Sequence, residues 1–313
     1  MNPFGLPAHQ LAAFARPVLE YLPAGYEADD AAQAEIDDVG SLAALASPDV
    51  VAARIGRLGV TVSTRDMTER LLEASDDRTV VSGLRYLNLD PAFPFVAVKT
   101  TVRVNDAEGV DALAAQVAEA YRGVRVRGFT FWEQPGLELS SAENWATVMA
   151  GSIDVAARAD ERDLTGTLTV SWPEATTDVF ADYQREHQAW RSDAPGLTSF
   201  VSESDQEGLQ EAADQGLLMS LRDDVGFAGL AAATMSPLFG RPAVCMLDMF
   251  LTKRLRGRGL APAMQSVFLA GQRSGADTVW GHIHAENLPS LRTAQKLGRS
   301  PVQQEYFVSL SAH

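Results

Sequence analysis

The sequence predicts an α/β chain with a mixed (α+β) sheet, organised as two units in tandem. Three observations lead there. Residues 1 to about 75 hold apolar side chains at helical spacing, and from Thr79 the period shortens to that of strands. The stretch from Val244 to Ala261, VCMLDMFLTKRLRGRGLA, is a strand-length apolar run ending in a basic, glycine-studded turn, with Pro262 and a helical pattern behind it. The order helices, two strands, helix, strand, helix, strand restarts at Asp178.

Taken in order, Leu11 to Leu22 reads as a helix interrupted at Pro17, and Asp29 to Asp38 as an acidic, exposed stretch. Asp49 to Leu58 and Arg65 to Ala74 are short amphipathic segments, and Asp76-Asp77 ends the helical part. Val80 to Leu89 and Phe95 to Val104 are rich in Val, Thr, Tyr and Phe and read as strands, separated by Pro91 and Pro94. Val110, Leu113, Ala114, Val117 and Tyr121 line one face of a helix, Val124 to Trp132 returns to strand, Asn144 to Ala157 is expected as helix, and Leu164 to Trp172 as strand. The aromatics of Gly128 to Trp132 and the turn Pro135-Gly136 either wall a cleft or pack as core. Pro-Glu-Ala-Thr-Thr after Trp172 breaks the pattern, which places the domains at 1–172 and 173–313. In the second half Val179, Phe180, Tyr183 and Trp190 line a helix, Glu203 to Asp214 makes another, and Leu217 to Leu221 and Phe227 to Met235 are strands leading to Val244.

The chain has 313 residues, room for two cores at ~150 residues each. Its one cysteine, Cys245, rules out an intrachain disulfide and fits a reducing compartment. No apolar run approaches the ~20 residues of a membrane span, and the N-terminus lacks a signal-peptide pattern, so a cytoplasmic protein with no membrane partner is expected. A formal charge of −15 argues against a general nucleic-acid binder, and is compatible with a cationic substrate or with solubility alone.

In the turn Arg256-Gly257-Arg258-Gly259-Leu260-Ala261, two glycines and an alanine stand where backbone must approach something closely. Pro262 suits a first helical turn, and Met264, Val267, Phe268 and Gly271 mark the buried face of the helix behind it. The unpaired amides of such a helix start favour an anion. Lys253, Arg254, Arg256 and Arg258 add positive charge, so a pyrophosphate is the expected guest.

Arg256-x-x-Gly259-x-Ala261 resembles the acyl-CoA turn of the GNAT superfamily of N-acyltransferases, and Asn287 to Gly298, with Ser290, resembles the family's second signature. The resemblance covers roughly 178–310, and over the first half it rests on element order alone. It implies a tandem GNAT whose second unit is complete and binds acyl-CoA. The first unit is degenerate, since it carries Asn105-Asp106-Ala107-Glu108-Gly109 where the phosphate turn should be. The implied donor is acetyl-CoA and the acceptor an amine, on a small molecule or a protein N-terminus. The implied donor contacts are Met249, Phe250, Leu251, the turn residues Arg256, Gly257, Arg258, Gly259, Leu260 and Ala261, and Asn287 and Ser290. Asp248 is the first candidate base, either catalytic or paired structurally with an arginine or a backbone amide; Glu286, the second, is either a base or a solvated strand end. Many members carry a Glu where this chain has Cys245, and a tyrosine acid where it has Ala294. Ser290, near the thioester sulfur, solvent, or Tyr306 would then supply the proton. That loss leaves a non-catalytic acyl-CoA-binding or regulatory protein as the alternative, and an interaction module that merely keeps the fold as a third reading. His282-x-His284 is half a metal site at best, so no metal is expected; His9, His187 and His313 are isolated.

Overall fold

The structure is a computed structural model that describes residues 4–73, 78–160, 164, 168–174, 176–193, 196, 201, 203–272 and 274–310. The chain divides into two compact units: Met1–Thr147 with Phe239–Arg241 and Val302–His313, and Val148–Leu238 with Pro242–Pro301. The boundary expected at Trp172-Pro173 therefore falls inside the second unit. The reason is packing: Ile153 and Ala156 belong to the same core as Met264 and Phe268 of the second unit. Conversely, the last strand pairs with a strand of the first unit, so the second unit does not close with its own C-terminal residues.

The first unit begins with α1 (Ala8–Ala13), α2 (Arg16–Leu19), α3 (Ala28–Ala44), α4 (Pro48–Leu58) and α5 (Thr64–Met67). Pro17 sits in the first turn of α2, where its missing N–H costs nothing, so the helix break falls just before it. Then come β1 (Arg70–Glu73), β2 (Thr79–Tyr86), β3 (Pro94–Thr100), α6 (Ala107–Ala120) and β4 (Gly128–Glu133). With β11 (Ser300–Ser309) the strand order is β1-β2-β3-β4-β11. Neighbours are antiparallel except β3 and β4, whose parallel register holds Val96 opposite Phe129 and Ala97 opposite Thr130. Phe129 and Phe131 are buried with Val110, Leu113, Val117 and Tyr306, so the aromatics at those two positions are core. A cavity of about 230 Å³ lies between Tyr21, Glu35, Asp38, Lys99, Phe131 and Trp132.

Residues 143–152 form a strand, β5 (Glu143–Ser152), with α7 (Ile153–Arg158) after it; this corrects the helix expected over Asn144 to Ala157. Ala146 to Ala150 are buried without alternation, and such a run carries no strand period to read. In the second unit, β6 (Thr169–Ser171) is shorter than the expected strand, whose residues 165–167 lie outside the described residues, as does Asp76-Asp77. There follow α8 (Thr177–Asp193), α9 (Gln206–Asp214), β7 (Leu218–Asp223), β8 (Gly226–Met235), β9 (Ala243–Leu251), α10 (Leu260–Gly271), β10 (Thr278–His284) and α11 (Leu288–Lys296). The helix α9 starts later than expected because Asp205 caps it, accepting from the Gly208 N–H at 2.8 Å. The strand order is β10-β9-β8-β7-β6, antiparallel except between β9 and β10. Among the described residues no single helix is long and apolar enough to cross a membrane; α3 and α4 reach that length only together, across a 73° bend.

Candidate functional site

The site grows out of β9. Its register with β8 sets Asp248 opposite Ala232 and Met246 opposite Ala233, so Leu247 is an extra residue, a β-bulge. One extra residue reverses the parity of everything after it. Val244 and Met246 pack into the core that contains α10, and past the bulge Met249 and Leu251 continue that face. Asp248 and Phe250 are thereby turned to the opposite face, toward α8.

There the carboxylate meets a polar group inside an apolar cluster. Tyr183 donates its hydroxyl to Asp248 Oδ2 at 2.5 Å, Ser204 Oγ lies 3.3 Å from the same oxygen, and the Ser204 N–H donates to Tyr183 Oη at 3.1 Å. Burial pushes the Asp248 carboxyl up to about 6; Glu203 adds to the rise, while Tyr183, the Met249 N–H and Ser204 oppose it. His187, one helical turn after Tyr183, is 1 % exposed and 3.7 Å from Glu203. Burial lowers its imidazole to about 4, with Arg191 and Arg256 acting in the same sense, and burial raises the Glu203 carboxyl. In sequence Tyr183 reads only as a residue of the apolar stripe, and His187 as isolated. The available signal was a tyrosine and a histidine at i and i+4 on the stripe Val179-Tyr183-His187, where a helix buries its apolar face.

On its other edge β9 runs parallel to β10, with Ala243 opposite Thr278, Val244 opposite Val279 and Cys245 opposite Trp280, and the pairing ends there. Both strands continue, β9 to Leu251 and β10 to His284, so they part as a wedge along Met249, Phe250 and Leu251. Backbone groups along such a wedge are available to a ligand.

At the end of β9 lies the glycine turn. Gly257 and Gly259 have φ of +73° and +69°, the left-handed region that glycine enters freely. A Cβ on Gly257 would meet no atom within 4 Å, so within the chain itself this glycine answers to its φ rather than to a close approach. Gly259 is the N-cap of α10, which has no side-chain cap and no acidic residue in its first turn. Among the described residues no group accepts from the N–H of Leu260 or Ala261. The dipole end of α10 is thus open to an anion.

The four basic residues of the turn divide by partner. Arg254 holds Asp223 through Nε and Nη2, both at 2.8 Å, and drives the Asp223 carboxyl down to about 2. Lys253 pairs with Asp193 at 2.9 Å. Arg256 turns back to donate to the Leu251 carbonyl at 2.6 Å and lies over the rings of Phe250 and Trp190, at 4.8 and 5.1 Å. Only Arg258 is exposed and, among the described residues, unpartnered. Three of the four cations thus have partners within the chain.

Of the second signature, Asn287 is the N-cap of α11, its Oδ1 accepting from the Ser290 N–H at 3.3 Å. Glu286 is exposed, and its N–H donates to His284 Nδ1 at 3.2 Å. Ala294 is fully buried against Met149, Ile283 and Leu291, so a tyrosine there would overfill the core. Tyr306 lies in the first unit, where it donates to the Leu137 carbonyl at 3.0 Å. Among the described residues, no three His, Cys, Asp or Glu side chains group as metal ligands.

Neither a protein-family model nor a curated protein matches the chain. Among solved structures it is similar to a GCN5-related N-acetyltransferase from Sphaerobacter thermophilus, at 16 % identity and a TM-score of 0.49, over 84 % of this chain and 91 % of that one. A tandem GNAT protein from the clavulanic acid biosynthesis pathway aligns at 15 % identity and a TM-score of 0.46, over 86 % and 97 %. The C-terminal domain of a putative lysylphosphatidylglycerol synthetase from Agrobacterium fabrum aligns at 12 % and 0.46, over 85 % and 93 %.

Proposed function

We propose that the second unit is an acyl-CoA-dependent N-acyltransferase of the GNAT type. The observation that carries this is the path along β9. A bulge aims a carboxylate with a raised pKa to one face, a wedge opens beside the next residues, and an uncapped glycine helix start follows at once. The donor pyrophosphate would lie on the Leu260 and Ala261 amides, and its pantetheine arm would run along Met249 to Leu251. The acceptor amine attacks the thioester carbon, a C–N bond forms as the C–S bond breaks, the amine proton passes to Asp248, and the thiolate takes a proton from solvent. A carboxylate near 6 is deprotonated at neutral pH yet basic enough to receive that proton. Tyr183 and Ser204 hold it in place, and an N–H along the wedge would stabilise the developing oxyanion. The buried Ala294 supports a second reading, a chain that binds acyl-CoA without turning it over.

Calorimetric titration with acetyl-CoA and free CoA, wild type beside Gly259→Glu, tests the cradle. Micromolar binding lost in the variant supports it, and absence of binding by the wild type overturns both readings. Amine acylation that survives Asp248→Asn would remove the aspartate from the mechanism, and failure of the wild type to acylate any amine in a broad panel would favour the second reading.

A further inference from the structure

A buried cation in the second unit has no anion among the described residues. Arg299 follows Gly298, just past α11, and is 5 % exposed. Its Nη2 donates to Gln265 Oε1 of α10 at 2.6 Å, and Nε is buried without a partner among the described residues. No carboxylate among the described residues pairs with it, and burial lowers its pKa to about 10. The nearby Cys245 thiol is no counter-ion, since burial pushes it up to about 12 and keeps it protonated. An unpaired guanidinium at such depth is costly, and an apolar side chain there would be the more stable choice unless the charge meets something.

Its position says where. Gly281 is the first residue of β10 beyond the last pair with β9, and Met246 is the first of β9. A Cβ on Gly281 would stand 3.5 Å from Arg299 Nη1 and 3.6 Å from Met246 Cβ. The guanidinium therefore lies beneath the apex of the wedge, on the α10 face, and the residue above it is one without a side chain. An acyl-CoA entering from the α10 start along Met249 to Leu251 carries its acyl group toward that apex.

We propose that Arg299 receives a carboxylate at the far end of the acyl group, so that the preferred donor is the CoA thioester of a short dicarboxylic acid. This rests on the acyl-CoA reading of the unit and replaces acetyl by a carboxyacyl group. The fork of a guanidinium pairs bidentately with a carboxylate, and its unused N–H groups are then satisfied together.

The test compares two donors of equal chain length, succinyl-CoA, which ends in a carboxylate, and butyryl-CoA, which ends in a methyl. Calorimetry on the full wild-type chain is expected to give at least tenfold tighter binding of succinyl-CoA, and Arg299→Met to bring the two within threefold. Equal affinities in the wild type overturn the proposal whether or not the variant folds, as does an undiminished succinyl preference in a folded Arg299→Met. Binding of free CoA with no succinyl preference overturns this proposal alone; no binding of any CoA species overturns the acyl-CoA reading and this proposal with it.

Discussion

The turns from β3 to α6 and from β9 to α10 follow strands that part from their parallel neighbours in the same manner, β3 from β4 after Ala97 and β9 from β10 after Cys245. Their helix starts differ in charge and in occupancy. At α6 the N-cap is Asp106, whose Oδ1 accepts from the Gly109 N–H at 2.7 Å, with Glu108 in the first turn. The loop before it is held by the buried Glu133, which accepts from the Val104 N–H at 2.9 Å and from Arg103 at 2.9 and 3.0 Å. At α10 the N-cap is a glycine, and among the described residues nothing accepts from the Leu260 and Ala261 N–H groups. One helix start is satisfied by the chain's own carboxylates, and the other carries no carboxylate cap. Two strands that part alike thus leave opposite electrostatics at the helix starts behind them, because the cap, not the strand, sets the charge there.

The largest expected effect is on turnover. Asp248→Asn should lower kcat by about 10²- to 10⁴-fold, the usual worth of a general base, while Glu286→Gln changes it little. The wild-type kcat/KM should show an acid limb near pH 6 that is absent from the variant, and a pH profile that keeps the limb would assign the base elsewhere.

Grafting one helix start onto the other is the next test. Gly259→Asp gives α10 the cap of α6 and should weaken CoA binding by about 10- to 100-fold through repulsion at the anion site. Calorimetry reads this directly, and unchanged affinity would mean the pyrophosphate does not sit there.

In the first unit, Glu133→Gln leaves Arg103 without its buried partner. It should cost about 3 kcal/mol, the low end for breaking such a pair because Arg103 retains Glu20, read by urea unfolding.

A pH test follows from Asp248 again. Its folded pKa lies above the unfolded value, so the folded state holds the proton more tightly. Its destabilising effect is absent below about pH 4 and grows as pH rises through about 6. Asp248→Asn should therefore be the more stable protein at pH 7.5, by about 1 to 3 kcal/mol, with the gain gone at pH 4; melts across that range would show the opposite trend if the residue were held by an arginine. Smallest is Asp106→Ala, about 1 kcal/mol of stability for a lost cap, with no gain of CoA affinity.

Much of this was legible in advance. The glycine turn, Pro262 and the Asn287 helix start obey local rules of φ, capping and dipole, and they stand where the sequence analysis put them. That the first unit's turn sets carboxylates at a helix start was legible too, since Asp106 and Glu108 stand beside it in sequence. Asp248 was named, but not its partners, because Tyr183 and Ser204 are 65 and 44 residues away. The bulge at Leu247 was invisible too, since an extra residue is defined only by the strand opposite. The helix expected over Asn144 to Ala157 failed for a related reason: a strand buried on both sides shows no alternation.

By itself, then, the sequence determined the mixed α/β class, the glycine turn and the helix starts, since a φ, a cap or a dipole depends on residues a few positions apart. The tertiary structure alone decided that the C-terminal strand completes the first unit, that three of the four turn cations have partners within the chain, that Asp248 faces Tyr183, and that Arg299 lies beneath the wedge with no carboxylate partner among the described residues. Each of these is a contact between residues far apart in the chain, set by packing and register, which no local pattern records.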